Sequence, residues 1–196
     1  MPATIETDKA QRIVEAMRRS VARRGTTGST FDHVAREAGV SRGLLHYYFG
    51  TKEQLLVEAV RRDCELRMEL LERQLAGART ADDFIGLLAE NLQRTVGEDP
   101  DFVTLVFELF TLSRRNRDIA VEYAELMRRT RDQVAELLAG AQREGVVRLN
   151  AAPETVAEVL FALADGFALR MLTEPDRDFG ATVRAGIACV RVLLAD

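Results

Sequence analysis

Apolar residues recur at three- and four-residue steps along almost the whole chain, which is the spacing of one face of an α-helix. Strand-like alternation is hard to find, and no stretch looks like a hairpin. The pattern therefore predicts an all-α protein of about nine helices. The predicted ranges are about 8–24, 30–38, 41–49, 51–75, 81–97, 100–112, 116–144, 153–173 and 179–194.

Capping residues mark several of these helix ends. Thr30, Ser41 and Thr51 stand where a side-chain oxygen can accept hydrogen bonds from the free N–H groups of the next helix. Gly25 and Gly39 follow the first two helices and are expected to end them. Residues 1–50 are thus predicted to form a small three-helix domain, and residues 51–196 a larger helical bundle.

Charge changes sign at the same boundary. Residues 1–52 carry nine basic and five acidic residues, a net charge of +4, whereas the remainder has a net charge of −8. A basic quarter on an acidic body indicates a localised surface for a polyanion. Four arginines of the first helix could contact phosphates or form a merely solvated face: Arg18, Arg19, Arg23 and Arg24.

The stretch from Thr30 to Ser41 has the residue types of a helix-turn-helix at the required spacing. Ala35 is small where two helices cross closely, Gly39 allows a tight turn and Val40 fills the angle between the helices. Ser41 then caps a short helix. At about 1.5 Å per residue that helix is ~12 Å long, which fits crosswise in a DNA major groove.

The recognition-helix region resembles the tetracycline-repressor (TetR) family. The matching string is Gly39-Val40-Ser41-Arg42-Gly43-Leu44-Leu45-His46-Tyr47-Tyr48-Phe49, followed by Lys52, Leu55 and Leu56. This resemblance covers roughly the first 60 residues closely. It implies a one-component bacterial transcriptional regulator: a homodimer that binds double-stranded operator DNA, with a ligand-sensing helical body, no catalytic residues and no cofactor. Repression is the family default.

The resemblance also implies roles for individual side chains. Thr30 and Lys52 would bind phosphates, and Arg42 is the best candidate for reading a base edge, because its fork can hold guanine. His46 departs from the tyrosine that many members carry there, and Tyr48 and Phe49 are expected in the core. The predicted DNA-binding residues are Thr30, Ser41, Arg42, Gly43, Leu44, His46, Tyr47 and Lys52.

In the family the last two helices pair with their counterparts to form the dimer interface. Small residues alternate here with large apolar ones, which lets helices approach closely. A dimer is expected on this basis, with a purely intramolecular bundle as the alternative. The predicted interface residues are Leu163, Phe167, Val183, Ile187 and Val190.

Family members usually hold their effector between the fourth and eighth helices. The sixth helix is apolar on most sides, so we expect it to be enclosed by others. An aromatic-lined pocket would favour a small, mainly hydrophobic effector, although such aromatic and methionine residues are more often plain core. Glu108 and Arg170 are polar candidates for aiming the ligand. The candidate pocket residues are Phe84, Leu88, Asn91, Phe102, Phe107, Phe110, Tyr123, Met127, Phe161 and Met171.

Two other functions remain open, namely an all-α enzyme and a helical interaction module without DNA binding. The two histidines both lie in the predicted DNA-binding domain, and no phosphate loop or metal-ligand spacing is present, so no metal site and no enzyme are expected. Cys64 and Cys189 are expected to be buried thiols. Met1–Glu6 shows no secretory signal and no apolar run approaches ~20 residues, so a cytoplasmic protein without a membrane partner is expected.

Overall fold

The computed structural model describes residues 7–194, and all regular structure in that range is helical, as predicted. The N-terminal stretch Met1–Glu6, for which no secretory signal is expected, lies outside the described residues. The described helices are α1 (Thr7–Gly28), α2 (Phe31–Ala38), α3 (Arg42–Phe49), α4 (Lys52–Leu75), α5 (Ala81–Glu98), α6 (Pro100–Ser113), α7 (Arg117–Arg143), α8 (Pro153–Thr173) and α9 (Gly180–Leu194).

The predicted caps are confirmed at the starts of α2, α3 and α4. Thr30 Oγ1 accepts a hydrogen bond from the His33 N–H at 3.3 Å, and Ser41 Oγ accepts from the Leu44 N–H at 3.2 Å. Thr51 Oγ1 does the same for Gln54 at 3.1 Å. Each cap satisfies an N–H group that has no partner within its own helix, which fixes where that helix begins.

The two glycines expected to end helices behave differently. Gly39 takes the left-handed conformation, with φ 68°, and ends α2 as predicted. Gly25 leaves helical geometry, with φ 66° and ψ 172°, but a helical turn resumes and α1 ends only at Gly28. Ser29 explains part of this, because its Oγ donates to the Gly25 carbonyl while accepting from Ser20 Oγ at 2.9 Å.

The chain divides into two compact units. Over the described residues, unit 1 comprises residues 7–65 and 101–126, and unit 2 comprises residues 66–100 and 127–194. These units do not test the predicted boundary near residue 50, which divides a DNA-binding domain from a larger helical bundle. That boundary stays a prediction. In unit 1, α1 packs on α2 and α2 on α3. Buried side chains of these helices and α4 include Ile13, Met17, Val21, Val34, Leu45, Leu55, Leu56 and Val60.

In unit 2, α5 packs against α8 and α9, and α8 packs on α9. Gly186 permits the close approach of the last two helices, since an added Cβ would lie 2.9 Å from the Phe167 ring. Fully or almost fully buried side chains of this unit include Phe84, Ile85, Leu138, Val156, Ala157 and Leu194.

Two expectations about burial are wrong. Helix α6 is enclosed less completely than expected: Val103, Leu105 and Leu109 are buried, but Phe110 is 47% exposed. The apolar composition of a helix does not by itself decide how many sides are covered. Cys64 is buried as expected, whereas Cys189 is exposed on α9.

Over residues 7–194, none of the helices has the length and apolar character needed to cross a membrane. Within the same range there is no group of three or more histidine, cysteine, aspartate or glutamate side chains that could hold a metal ion.

Candidate DNA-binding surface

Helix α3 is anchored on one side and open on the other. Leu45 is 0% exposed, while Tyr47 is 66% exposed. Two residues apart on a helix, side chains point about 200° away from each other, so burying one presents the other to solvent. The packing of Leu45 therefore presents the outer face of α3 for binding.

Most predicted DNA-binding residues are exposed in unit 1. Tyr48 and Phe49, which were expected in the core, are only half-buried. The Tyr47 and Tyr48 rings meet edge to face, with centroids 5.0 Å apart. Among the predicted contacts, the exposed ones are Thr30, Ser41, Arg42, Gly43, His46 and Tyr47, and the half-buried ones are Leu44 and Lys52.

Arg42 is held by two neighbours that sequence reasoning did not identify as its partners. Its Nη1 lies 3.2 and 3.4 Å from the two carboxylate oxygens of Asp32, in the first turn of α2. Its Nε donates to His46 Nε2 at 3.4 Å. The signal for the second contact was present, because positions 42 and 46 are one turn apart on a helix.

The His46 ring uses both of its nitrogens. Nδ1 lies 3.2 Å from the Gly50 carbonyl oxygen. Because Nε2 accepts from Arg42, the proton of the neutral ring belongs on Nδ1, which then donates to Gly50. The ring also meets Phe31 edge-on, at 4.6 Å between centroids. These contacts orient the imidazole at the C-terminal end of α3.

Lys52 and Glu108 both bind the last turn of α1. Lys52 Nζ donates to the Thr26 carbonyl at 2.9 Å. Thr26 in turn donates from its N–H and its Oγ1 to the Glu108 carboxylate, at 3.3 and 2.5 Å. An ammonium has three hydrogens, so this contact leaves Lys52 two for a phosphate. Glu108 holds the backbone here, which differs from the ligand-aiming role considered for it.

Of the four α1 arginines considered as phosphate contacts, Arg18, Arg19 and Arg23 form ion pairs within unit 1. Arg19 and Arg23 both reach Glu37 of α2, at 2.6 and 2.8 Å. The Arg19 guanidinium, with Arg23, holds the pKa of the Glu37 carboxyl below its ordinary value. Arg18 pairs with Asp63 of α4 at 2.9 Å. These ion pairs connect α1 to α2 and α4. The Arg19 and Arg23 side chains are still 45% and 52% exposed, so phosphate contact by them stays a prediction.

The predicted dimer residues fall on more than one side of α8 and α9. Val183 is only 8% exposed and packs inside its own chain, so it can add little to an interface, contrary to expectation. Leu163, Phe167, Ile187 and Val190 are half-buried. The five predicted residues leave out the exposed side of these helices, although its three- and four-residue spacing was visible in the sequence. It consists of Val159, Ala162, Gly166 and Leu169 on α8, and Ala181, Ala185, Ala188 and Val192 on α9.

The predicted pocket residues are divided between the units. Phe84 belongs to the core of unit 2, which favours the plain-core alternative for it. Phe110 lies exposed in unit 1, beside Tyr123 at 6.1 Å, and is not an enclosed lining residue. The others are half-buried: Phe102, Phe107 and Tyr123 in unit 1, and Leu88, Asn91, Met127, Phe161 and Met171 in unit 2.

Two parts of this chain match known protein families. Residues 13–59, which contain α2 and α3, match the family described as bacterial regulatory proteins, tetR family. Residues 81–193 match the C-terminal domain of BetI-type transcriptional repressors, and this second match alone spans more than half of the chain. The chain belongs to the TetR family. It is a helix-turn-helix transcriptional regulator, as the motif predicted.

Individual relatives agree with this assignment. The transcriptional regulator PksA of Bacillus subtilis is 26% identical over 183 residues, which cover 90% of this chain and 85% of PksA. A regulator of Saccharomonospora viridis solved with choline has a TM-score of 0.74 and 26% identity, covering 97% of this chain and 100% of that one. FadR of Bacillus subtilis, solved with stearoyl-CoA, shares the fold at a TM-score of 0.76 and 17% identity, covering 92% and 96%.

Proposed function

We propose that this TetR-family protein is a cytoplasmic repressor that binds operator DNA as a homodimer and is released by a small organic effector. The observation that carries the DNA-binding part is the outer face of α3, where Arg42 and Tyr47 are exposed while Leu45 anchors the helix. The match to BetI-type repressors supports repression.

The exposed apolar faces of α8 and α9 support the dimer. Val159 and Leu169 on α8 and Val192 on α9 are large apolar side chains left at the surface. Small residues separate them, so two copies of each helix can approach closely. Two recognition helices placed about 34–36 Å apart would reach successive major-groove faces. Sedimentation of the full chain at micromolar concentration tests the dimer directly.

Replacing Arg42 by alanine should weaken operator binding by roughly 1–3 kcal/mol and relax the sequence preference at one position of each half-site. Replacing Lys52 should weaken binding to every duplex by a similar factor, because a phosphate contact carries no sequence information. Fluorescence anisotropy on operator and scrambled duplexes, over a range of salt concentrations, measures both changes.

The two variants control for each other, since each removes one positive charge from unit 1. Lys52→Ala should also change the salt dependence. On a plot of log affinity against log salt concentration, the slope should become shallower by about one. Equal losses on operator and scrambled DNA for Arg42→Ala would show that this arginine does not read a base.

The effector class is supported by the ligands of proteins with the same fold. Choline and stearoyl-CoA both combine a charged group with exposed methyl or methylene surface, and each is bound by a relative named above. In this chain, Leu88 and Asn91 on α5 and Phe161 on α8 are half-buried within unit 2. We propose that these side chains contact an effector with an apolar body and one polar end.

A bound effector should raise the melting temperature of the full chain. At a hundred times its Kd a ligand adds about 2.7 kcal/mol, which for a chain of this size is about 5–10 °C. The same compound should release the protein from operator DNA. Choline, stearoyl-CoA and a panel of apolar organic molecules can be screened by melting, and Asn91→Ala should reduce the response. If every compound that raises the melting temperature also tightened operator binding, this result would contradict release by the effector.

A further inference from the structure

We propose that Asp32 sets the DNA sequence specificity of this regulator by holding the guanidinium of Arg42, with His46 as the second support. The inference rests on the proposed function, in which Arg42 reads a base edge. Asp32 would then act as a positioning residue: it has no base contact of its own, and its effect passes through the arginine.

The contacts occupy only part of the guanidinium. Asp32 is bound through Nη1 and His46 through Nε, while neither contact uses Nη2. An arginine fork carries five N–H donors, so these two contacts leave both hydrogens of Nη2. Neighbouring hydrogens of Nη1 and Nη2 form the paired donors that match O6 and N7 of guanine. The two supports therefore leave Nη2, one of the two nitrogens of that donor pair, for a guanine.

Both supports are tied to ordered parts of the domain. Asp32 follows the buried Phe31 and lies in the first turn of α2, where a negative charge is favoured by the helix dipole. His46 is fixed by the Gly50 carbonyl and by the Phe31 ring. Arg42 itself is long, and its side chain is 59% exposed. Tethering such a side chain before binding reduces the conformational freedom that it loses when it meets a base.

The charge of Asp32 has a second consequence. A carboxylate beside the recognition helix repels every DNA phosphate, so it lowers affinity for all duplexes equally. It also makes a phosphate a poorer alternative partner for Arg42. Removing the charge should therefore move two quantities in opposite directions: affinity for scrambled DNA rises, and the ratio of operator to scrambled affinity falls. A residue that only stabilised the fold would not produce this combination.

The test uses the full chain carrying Asp32→Asn, with an operator selected from random duplexes by the wild-type protein. We expect affinity for scrambled DNA to rise about three- to fivefold, as for the loss of one exposed charge interaction. The operator-to-scrambled ratio should fall about tenfold, as for the loss of one good base contact. Asp132→Asn is the matched control, because Asp132 also pairs with an exposed arginine, at 53% and 55% side-chain exposure against 57% and 59% for Asp32 and Arg42. It should leave both quantities unchanged.

The variant Arg42→Ala distinguishes base reading by Arg42 from the positioning of Arg42 by Asp32. With Arg42 removed, Asp32→Asn should no longer change the ratio. If Arg42→Ala itself leaves the ratio unchanged, the base-reading function fails; if Arg42→Ala lowers it and Asp32→Asn does not, only the positioning role fails. Should Asp32→Asn not fold, as shown by its thermal melt, His46→Gln takes its place. That variant should lower the ratio without raising affinity for scrambled DNA, and an unchanged ratio would overturn the proposal.

Discussion

Replacing Asp63 by alanine should lower the free energy of unfolding by about 3 kcal/mol, the low end of the cost of breaking a buried ion pair. Asp63 lies on α4, and its carboxylate is 2.9 Å from Arg18 Nε, with side-chain exposures of 8% and 15%. Without Asp63 the largely buried guanidinium loses this carboxylate, and Glu15, which it contacts at 3.1 Å, is itself 42% exposed. For a chain of this length the melting temperature should fall by about 6–12 °C at a fixed protein concentration.

Two controls distinguish an uncompensated charge from a lost contact. The double variant Arg18→Met with Asp63→Leu removes both charges and retains apolar volume, so it should recover most of the loss. Asp132→Ala breaks an exposed pair and should cost at most about 1 kcal/mol. If the double variant were as unstable as Asp63→Ala alone, shape rather than charge would explain the loss.

Replacing Leu45 by alanine should cost about 2–5 kcal/mol of stability, because the side chain is fully buried and its removal leaves a cavity beneath α3. DNA binding should fall with it, on every duplex alike, since the whole recognition helix loses its anchor. Thermal melting and anisotropy on operator and scrambled DNA give the two readouts.

Leu44 is the matched control for this experiment. It is the same residue type on the same helix, one position away, but it is half-buried and a predicted DNA contact. Leu44→Ala should therefore leave the melting temperature nearly unchanged and weaken operator binding more than binding to scrambled DNA. If both leucine variants lowered the melting temperature equally, α3 would not have one anchored and one open face.

Local chemistry explains why the helix boundaries could be predicted so closely. Thr30, Ser41 and Thr51 cap helices through atoms only three residues away, and Gly39 ends α2 through its own backbone conformation. Periodic burial likewise depends on neighbours three or four positions apart. Such interactions are contained within a short window of sequence, so the sequence alone indicates them.

Contacts between distant segments could not be predicted in the same way. Glu108 meets Thr26 across 82 residues of sequence, and the arginines of α1 find Glu37 and Asp63 on other helices. The positive charge of residues 1–52 was visible, but its neutralisation by these partners was not. The same limit applies to Phe110, whose exposure depends on which helices cover α6.

The candidate site combines residues that the local sequence indicates with contacts between helices that it does not indicate. The residues of α3 follow from the motif, whereas the support of Arg42 by Asp32 depends on how α2 and α3 cross. His46 shows why a departure from a family pattern is informative. It replaces a tyrosine hydroxyl with a ring whose two nitrogens are both engaged within the domain. A substitution at such a position changes how neighbouring side chains are held as well as what meets the DNA.

Selection of bound duplexes from a random pool tests whether α3 of this TetR-family chain reads a DNA sequence. We expect enrichment of a palindromic site whose half-site centres lie about one helical turn, or a multiple of it, apart. Affinity for that site should exceed affinity for scrambled DNA by about a thousandfold or more at physiological salt. A pool that shows no enriched sequence after repeated selection, with equal affinity for all duplexes, would show that α3 does not read a DNA sequence.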